Sequence, residues 1–380
     1  MKFLLIYVPN LRFPYKGDWH KRKLNEICLF FKGNGLSKSD LSNEGFPCIL
    51  YGELYTTYKN EVISDIVSKT TTTLSNPFLS KNNDLIIPGS GEDPIDIAVA
   101  RAIYQNDIIL GGDLNVLRPK SNVSAAFLSY QLNGVRRYDI AKKAQGKSIV
   151  HLHNSDLKEV CVSIPTYDEQ LHIVKLLTKI DEMIETQSKI IDDYNSLKMG
   201  IYNCMFKENY ADYKLKQLAY IVKGDQINND QLLSNGSYYM MNGGASPSGY
   251  LDSYNVSENT ISISEGGNSC GYVQFNSSPF WSGGHCYTIQ NVNSALIENK
   301  YLYHYLKYKE KEIMNLRIGT GLPNIQKKDL ENFTILVPSL LIQRKNLALF
   351  EMLDEKISIL NEELANLQKQ KKYLLCNMFI

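Results

Sequence analysis

The chain repeats itself, and repetition limits the folds open to it more than any motif it carries. Lys23 to Gly52 can be laid on Lys214 to Gly243 without a gap, at an offset of 191 positions. Gly33, Leu41, Gly45 and Gly52 then meet Gly224, Leu232, Gly236 and Gly243. Gly146 to Phe206 lies on Gly319 to Phe379 at an offset of 173, where Asp156-Leu157 meets Asp329-Leu330, Pro165 meets Pro338 and Gln170 meets Gln343. Asp181-Glu182 and Met205-Phe206 find Asp354-Glu355 and Met378-Phe379 in the same register. The change of offset puts about 18 additional residues in the middle of the first copy. The chain therefore reads as two half-molecules, each a globular block followed by a long patterned segment. Its 380 residues suit that division, at roughly 100–200 residues per domain.

The patterned segments read as helices. Ile173, Ile180, Gln187, Tyr194 and Ile201 recur every seven residues, with Leu177, Ile184, Ile191, Lys198 and Met205 four further on. Leu353, Leu360, Leu367 and Leu374 repeat the register in the second copy, accompanied by Phe350, Ile357, Leu364, Lys371 and Met378. A heptad sustained this long, with no interior proline and Gly200 as its one interior glycine, predicts coiled-coil packing. Each helix starts just after a proline, and some 40 residues at 1.5 Å each would span about 60 Å. The matched registers predict that the two helices pack on each other as a spacer.

The blocks between them read as short strands and turns. Asp84–Pro88, Asp107–Gly111, Thr260–Ser264 and Phe333–Val337 are β-branched and bounded by Gly, Pro, Asn or Ser. Short helices are expected at Ala125–Gln131 and Lys300–Lys309. Glycine turns stand at Gly89-Ser-Gly91, Gly111-Gly112, Gly243-Gly244, Gly266-Gly267 and Gly283-Gly284, and loops on a rigid scaffold are where recognition residues usually sit.

Composition narrows the function classes. Hydrophobic residues at 43% and charged ones at 21% describe an ordinary globular chain rather than a disordered or fibrous one. A net charge of +1 excludes a basic coat over the whole chain while leaving room for a local patch. Seven scattered cysteines without a Cys-x-x-Cys pair read as reduced thiols in a cytoplasmic protein. The start, Met1–Pro14, is too short for a spanning helix and lacks a signal cleavage site, so a first strand is expected there.

Catalytic motifs fail on context. Phe31-Lys-Gly-Asn-Gly35 has the F-x-G-x-G spacing that loops around S-adenosylmethionine, but Asn76-Pro77-Phe78 lacks the second proline needed to hold a target amine. Ala141–Ser148 fits the Walker A pattern, yet polar Arg136–Asp139 precedes it where a buried strand is required, and an extended Ile149–Leu152 follows. His151 and His153 have no third metal ligand nearby in sequence, and the copy carries Asn324 and Gln326 instead. Glu298-Asn-Lys300 lacks the acidic partner of a metal-dependent nuclease.

Leu11-Arg-Phe-Pro14, Trp19, Lys23-Leu-x-x-Ile27 and Tyr51-Gly-Glu-Leu-Tyr55 together resemble the opening of specificity subunits of type I restriction-modification enzymes. The resemblance extends to the repeated Asp-Leu, the strand ending in Ile-Pro or Val-Pro, the glutamine five residues on, and the long helix ending in Met-Phe. The second copy departs from the pattern, with Leu340-Leu-Ile-Gln343 in place of Tyr167-Asp-Glu-Gln170.

The resemblance implies an α+β architecture of two tandem mixed target-recognition domains, each followed by a long helix, the helices forming an antiparallel coiled-coil spacer. The expected segments are 1–164, 165–206, 207–337 and 338–380. It further implies a non-catalytic subunit that reads a bipartite DNA target. Two methyltransferase subunits and restriction-translocase subunits would be its partners, and S-adenosylmethionine, ATP and Mg would be bound by those partners and not by this chain. Two half-sites on one face of a duplex lie about 34–36 Å apart, a separation such helices can span. The alternative reading is a DNA-free scaffold or carbohydrate-binding module built from duplicated β-rich domains.

Charge is uneven between the blocks. Residues 1–150 hold 19 Lys+Arg against 14 Asp+Glu, whereas residues 211–335 hold 10 against 11. The first block thus has the modest basic excess expected of a phosphate-binding surface. Expected DNA contacts in the first block are Lys32, Asn34, Lys38, Tyr51, Ser90, Arg136, Arg137, Lys142, Lys143 and Lys147, with Tyr55 and Tyr58 as further groove-facing residues. In the second they are Lys223, Gln226, Asn242, Asn268, Ser269, Thr320 and Asn324. Arg and Lys suit guanine edges or phosphates, and Asn or Gln suits adenine. Gln170, Ile180, Ile184, Ile191, Gln343, Leu353, Ile357 and Leu364 are the expected helix and partner-subunit interface.

Overall fold

The computed structural model describes residues 8–15, 17–206, 210–319, 321 and 323–380. The expected N-terminal strand falls mainly on residues 1–7, outside the described residues. Two compact units emerge: Met1–Ser188 with Glu362–Ile380, and Lys189–Asn361.

The first unit is built on a five-stranded sheet in the order Cys28–Lys32, Leu114–Pro119, Asp84–Pro88, Arg101–Ile103, Val62–Ile63. Its first four strands pair antiparallel and the short Val62–Ile63 adds a parallel edge. Every residue of Asp84–Pro88 is buried because both faces of the sheet are covered. Side-chain alternation divides the strand: Leu85 and Ile87 join the cluster under helix Ala125–Asn133, while Ile86 joins the opposite one with Val116 and Leu114. That helix begins where the Ser124 hydroxyl caps the Phe127 amide. Asp84, itself fully buried, is held by both arms of Arg118 at 2.7 and 2.8 Å.

The second unit repeats this plan. Its sheet runs Tyr220–Lys223, Cys286–Gln290, Thr260–Ser264, Val273–Asn276. The repetition reaches individual pairs: His20 faces Ile164 in the first unit, and their copies Ala211 and Val337 face each other in the second. Cys48 pairs in parallel with Ile109, and Met240 with Trp281. The additional residues of the first copy lie between strands Phe46–Ile49 and Asp84–Pro88, where helix Glu53–Thr56 and strand Val62–Ile63 are added, while Ser68–Thr70 pairs antiparallel with Phe46–Ile49 as Gly249–Leu251 does with Tyr238–Met241.

Both heptad segments are helices, Tyr167–Met205 and Leu340–Asn377. They pack together antiparallel. Within the first unit Lys371 Nζ lies 2.6 Å from Asp181 Oδ1 and Gln187 donates to Glu363, so rising numbers on one helix meet falling numbers on the other. Within the second unit Lys198 pairs with Asp354. These pairs are copies: Asp181 and Asp354 correspond in the repeat, as do Lys371 and Lys198.

Each helix is anchored at both ends. At its start a fully buried glutamine hooks the chain to its own block: Gln170 accepts from Ser124 N and donates to the Asn122 and Pro165 carbonyls. Gln343 does the same with Glu298 N, Leu296 O and Pro338 O. At its end the repeated Met-Phe enters a core. Phe379 packs on Trp19 and Phe127 in the first unit, and Phe206 packs among Tyr301, Tyr305 and Phe350 in the second. The opening motif is explained too: Arg12 grips buried Glu169 at 2.7 and 2.8 Å, and the Trp19 indole donates to the same carboxylate.

Beside the second unit's seam, His304 is buried with its Nδ1 2.8 Å from the Tyr202 hydroxyl. Burial, reinforced by the charge of Lys198, pushes its pKa down to about 3. The unfolded imidazole titrates near 6.5, so the folded state binds fewer protons below that value. Stability present at pH 7 is therefore lost as pH falls, by about 2 kcal/mol at pH 5. Denaturant unfolding read by hydrogen exchange in Cys286–Gln290 is expected to show this loss, and His304→Asn to flatten it.

Candidate nucleic-acid interface

The glycine turns of each block meet at one end of its central sheet. In the first block Gly33 N donates to Leu114 O and Asn34 N to Leu110 O, both at 3.0 Å, while Gly112 N reaches Leu36 O. The second block matches, with Gly224 N on Cys286 O and Asp225 N on Ser282 O at 2.9 Å. Chains cross so closely here that side chains are excluded: a Cβ on Gly33 would lie 2.1 Å from Gly111 O, and one on its copy Gly224 2.3 Å from Ser282 O. A hairpin joins the same end, Gln145–Gly146 with Val150–His151 in the first block, and the Ile318 to Asn324 bridge in the second.

The structure sorts the expected contacts. Lys32, Lys38 and Lys147 are exposed at this end, on the sheet edge, the following turn and the hairpin tip. Tyr51 is half-buried and shares with Lys38, Gly112 and Asp113 a cleft of about 700 Å³. Lys142 is exposed and Lys143 half-buried on the chain leading into the hairpin. Five residues of the first block make contacts within the first unit, and the two buried ones, Ser90 and Tyr58, are corrected. Ser90 is buried and donates to Asp113. The Asn34 amide is occupied by Asn76 O and Phe78 N, closing its own loop. Arg136 donates to the Ile380 carbonyl and Arg137 to the Ile95 carbonyl. Tyr58 is a core residue whose hydroxyl accepts from Val67 N, and burial raises its pKa to about 12. Tyr55 is half-buried against the same core.

In the second block Lys223, Gln226, Asn268 and Asn324 are exposed at the turn end and Ser269 is half-buried. Lys223 Nζ lies 2.5 Å from Glu265 Oε1, so its charge is already matched. Asn242 is half-buried, accepting from His285 N, and Asn324 accepts from Gln326. Thr320 lies outside the described residues. Of the expected helix interface, Ile180, Ile191 and Leu353 are buried and Ile184, Ile357 and Leu364 half-buried. Gln170 and Gln343 are corrected: they sit inside their own blocks as anchors.

Two residues at this end escaped sequence reasoning. Asp113 and His285 each follow a Gly-Gly pair and are exposed, and the glycine pair itself was the available signal. Gly267-Asn-Ser-Cys-Gly271 has the spacing of a nucleophile elbow, but Ser269 lies in a turn between strands Thr260–Ser264 and Val273–Asn276, where an elbow needs a following helix. His151 and His153 stack with ring centres 6.1 Å apart, and no group of three metal-binding side chains occurs among the described residues. No helix among them is long and apolar enough to cross a membrane.

A duplicated block is also what family comparison finds. The model of the type I restriction modification DNA specificity domain matches residues 16–193 and again 207–369. The chain belongs to this family. Its relatives include the putative type I specificity subunit S.MpnORF638P of Mycoplasma pneumoniae, 34% identical over 155 residues, covering 40% of this chain and 41% of that one. The chain thus spans about two fifths of the length of that relative, and a third of a similar one from Mycoplasma genitalium. The putative type I restriction enzyme MjaX specificity subunit of Methanocaldococcus jannaschii is 22% identical over 94% of this chain and 92% of its own. Among solved structures, the type I restriction-modification system S subunit from M. genitalium superposes with a TM-score of 0.69 at 20% identity over 98% of this chain and 99% of that one, which establishes the shared fold. As a specificity-domain chain, it has the expected two-block α+β architecture with packed long helices.

Proposed function

We propose that this chain is the DNA-reading subunit of a type I restriction-modification complex and recognises a two-part target. Segments 1–164 and 207–337 each read one half, and segments 165–206 and 338–380 hold the readers apart. The observation that carries this reading is the duplicated turn end: the same close-packed backbone, built twice, presents different side chains. Lys32 stands where Lys223 stands, but Asp113 stands where His285 stands. Identical scaffolds with different tips suit two different half-sites read side by side. Lys32, Lys38 and Lys147 supply phosphate contacts in the first block, consistent with its basic excess.

Methyltransferase subunits dock on the long helices, where Leu171, Met183 and Leu197 of one and Leu341, Met352 and Ile359 of the other are exposed apolar side chains. Restriction-translocase subunits complete the assembly. S-adenosylmethionine, ATP and Mg belong to those partners, and this chain contributes recognition and no catalytic step.

Co-expression with the methyltransferase subunit in a methylation-free host, followed by mapping of methylated adenines, tests the reading. The expected result is a split motif with two defined halves around a fixed gap. Replacing residues 211–335 with another second block should change one half only. A stable complex that neither methylates nor binds duplex DNA would overturn the proposal.

A further inference from the structure

The structure assigns a base-reading role to the residue that follows each Gly-Gly turn, Asp113 in the first block and His285 in the second. This deepens the proposed function and rests on it.

The two positions are one position of the fold. Asp113 precedes Leu114, which faces Pro88, and His285 precedes Cys286, which faces Ser264, in matching antiparallel pairs. Each lies beside the strand that carries the repeated lysine, Lys32 opposite Asn115 and Lys223 opposite Tyr287. A lysine and a variable polar tip are thus placed together twice, with the Lys223 charge already met by Glu265 in the second block.

Both tips are held in place before any ligand arrives. Asp113 takes the left-handed conformation at φ +56°, its carbonyl accepts from Gly89 N, and its Oδ2 accepts from Ser90 Oγ at 3.2 Å. His285 donates its amide to Asn242 Oδ1 at 3.0 Å and accepts from Glu265 N on its carbonyl. Its ring Nδ1 lies 3.4 Å from Glu265 Oε2, so Nε2 is the outward atom of a side chain 62% exposed. The turn behind it is closely lined by side chains: a Cβ on Gly283 would lie 2.6 Å from Asn242 Oδ1, and one on Gly284 2.2 Å from Gln226 Oε1, so a larger residue there would have to push those side chains aside. Exposed side chains with their backbones fixed on both sides lose little freedom on binding, which is what a specificity contact needs.

The chemistry of the two tips differs. A carboxylate only accepts, so Asp113 selects a base that presents an amine in the major groove, the N4 of cytosine or the N6 of adenine. With Nδ1 turned to the Glu265 carboxylate, the neutral ring of His285 presents Nε2 as an acceptor for a base amine, and only the protonated ring donates outward to guanine N7 or O6, which a carboxylate never does. The two tips therefore differ in that His285, once protonated, can also donate, which Asp113 cannot.

Methylation mapping of Asp113→Ala, Asp113→Asn and His285→Ala complexes tests the inference, beside the unaltered complex. Asparagine tolerates the left-handed conformation and guards against a folding artefact. The expected result is relaxation at one base pair of the first half for both Asp113 variants and at one base pair of the second half for His285→Ala. Discrimination there should fall roughly 5- to 100-fold, with the opposite half unchanged. An unchanged motif, relaxation in the wrong half, or uniform loss at all sequences by the asparagine variant would overturn it, provided that the unaltered complex methylates a split motif. Absence of methylation and duplex binding in the unaltered complex would overturn the function on which the inference rests.

Discussion

Lys371→Met is expected to destabilise the first unit by about 3–5 kcal/mol, a fall of roughly 10 °C in melting temperature. Lys371 Nζ lies 2.6 Å from both Glu61 Oε2 and Asp181 Oδ1, and both carboxylates are buried. Burial alone would lower the lysine pKa, but Glu61 and Asp181 together hold it above its ordinary value. Asp181 is itself pushed up, first by burial and then by Glu61, although Lys371 and the Tyr130 hydroxyl at 2.6 Å act the other way. Removing the ammonium leaves two buried carboxylates facing each other, a far larger cost than the loss of one attraction. The variant's carboxylates then titrate higher in the folded than in the unfolded state, so its deficit should shrink as pH falls toward 5 and grow toward 8. Adding Asp181→Asn should recover a large part of the loss. A drop below about 1 kcal/mol, or no pH trend, would mean that the network is not buried as described. The copied pair predicts a contrast: Asp354 is 38% exposed, so Lys198→Met should cost only about 1 kcal/mol.

That contrast marks how far the sequence could be read. Lys198 and Lys371 were visible as lysines at seam positions, and Asp181 and Asp354 as repeated residues, because heptad spacing and repetition are local properties of the string. Their pairing was not visible. Which lysine meets which aspartate depends on the antiparallel sense of the helices, which is set by where each chain end is anchored. Gln170 and Gln343 show the same limit: their conserved spacing within the repeat marked them as important, but spacing cannot distinguish a helix-facing side chain from a hook to a neighbouring loop. Strands were legible where a pattern marks them: Asp84–Pro88 carries the apolar run Leu85–Ile87 of a sheet covered on both faces, and Thr260–Ser264 alternates isoleucine with serine. Two-residue strands such as Leu41–Ser42 and Val62–Ile63 have no such signature.

The site was legible as a set of glycine turns and illegible as a set of side chains. Glycine marks a backbone demand, and Gly33 and Gly224 meet the same one. Whether a neighbouring polar group faces outward depends on distant partners. Arg136 is drawn to the Ile380 carbonyl and the Asn34 amide to Asn76 and Phe78, partners that lie far away in sequence. Asp113 and His285 were passed over because one is acidic and the other uncharged by simple arithmetic, and net charge finds phosphate contacts better than base contacts.

Phe206→Ala and Phe379→Ala should each cost about 3–5 kcal/mol, in different places. Phe379 fills a slot between Trp19 and Phe127, with ring centres at 6.3 and 5.3 Å. Phe206 sits among Tyr202, Tyr301, Tyr305, Tyr308 and Phe350, all within 5.1–5.7 Å. Aromatic pairs add about 0.5–1.5 kcal/mol beyond their buried area, so the Phe206 variant should be the more damaged of the two. Hydrogen exchange locates the loss: Phe206→Ala should first lower protection in Thr260–Ser264 and Cys286–Gln290, and Phe379→Ala in Asp84–Pro88 and Leu114–Pro119. The two rings share no partner, so the double variant should sum the single losses to within about 0.5 kcal/mol. Equal loss of protection in both sheets from either single variant would contradict this assignment, because each terminal phenylalanine would then be supporting something other than the core around it.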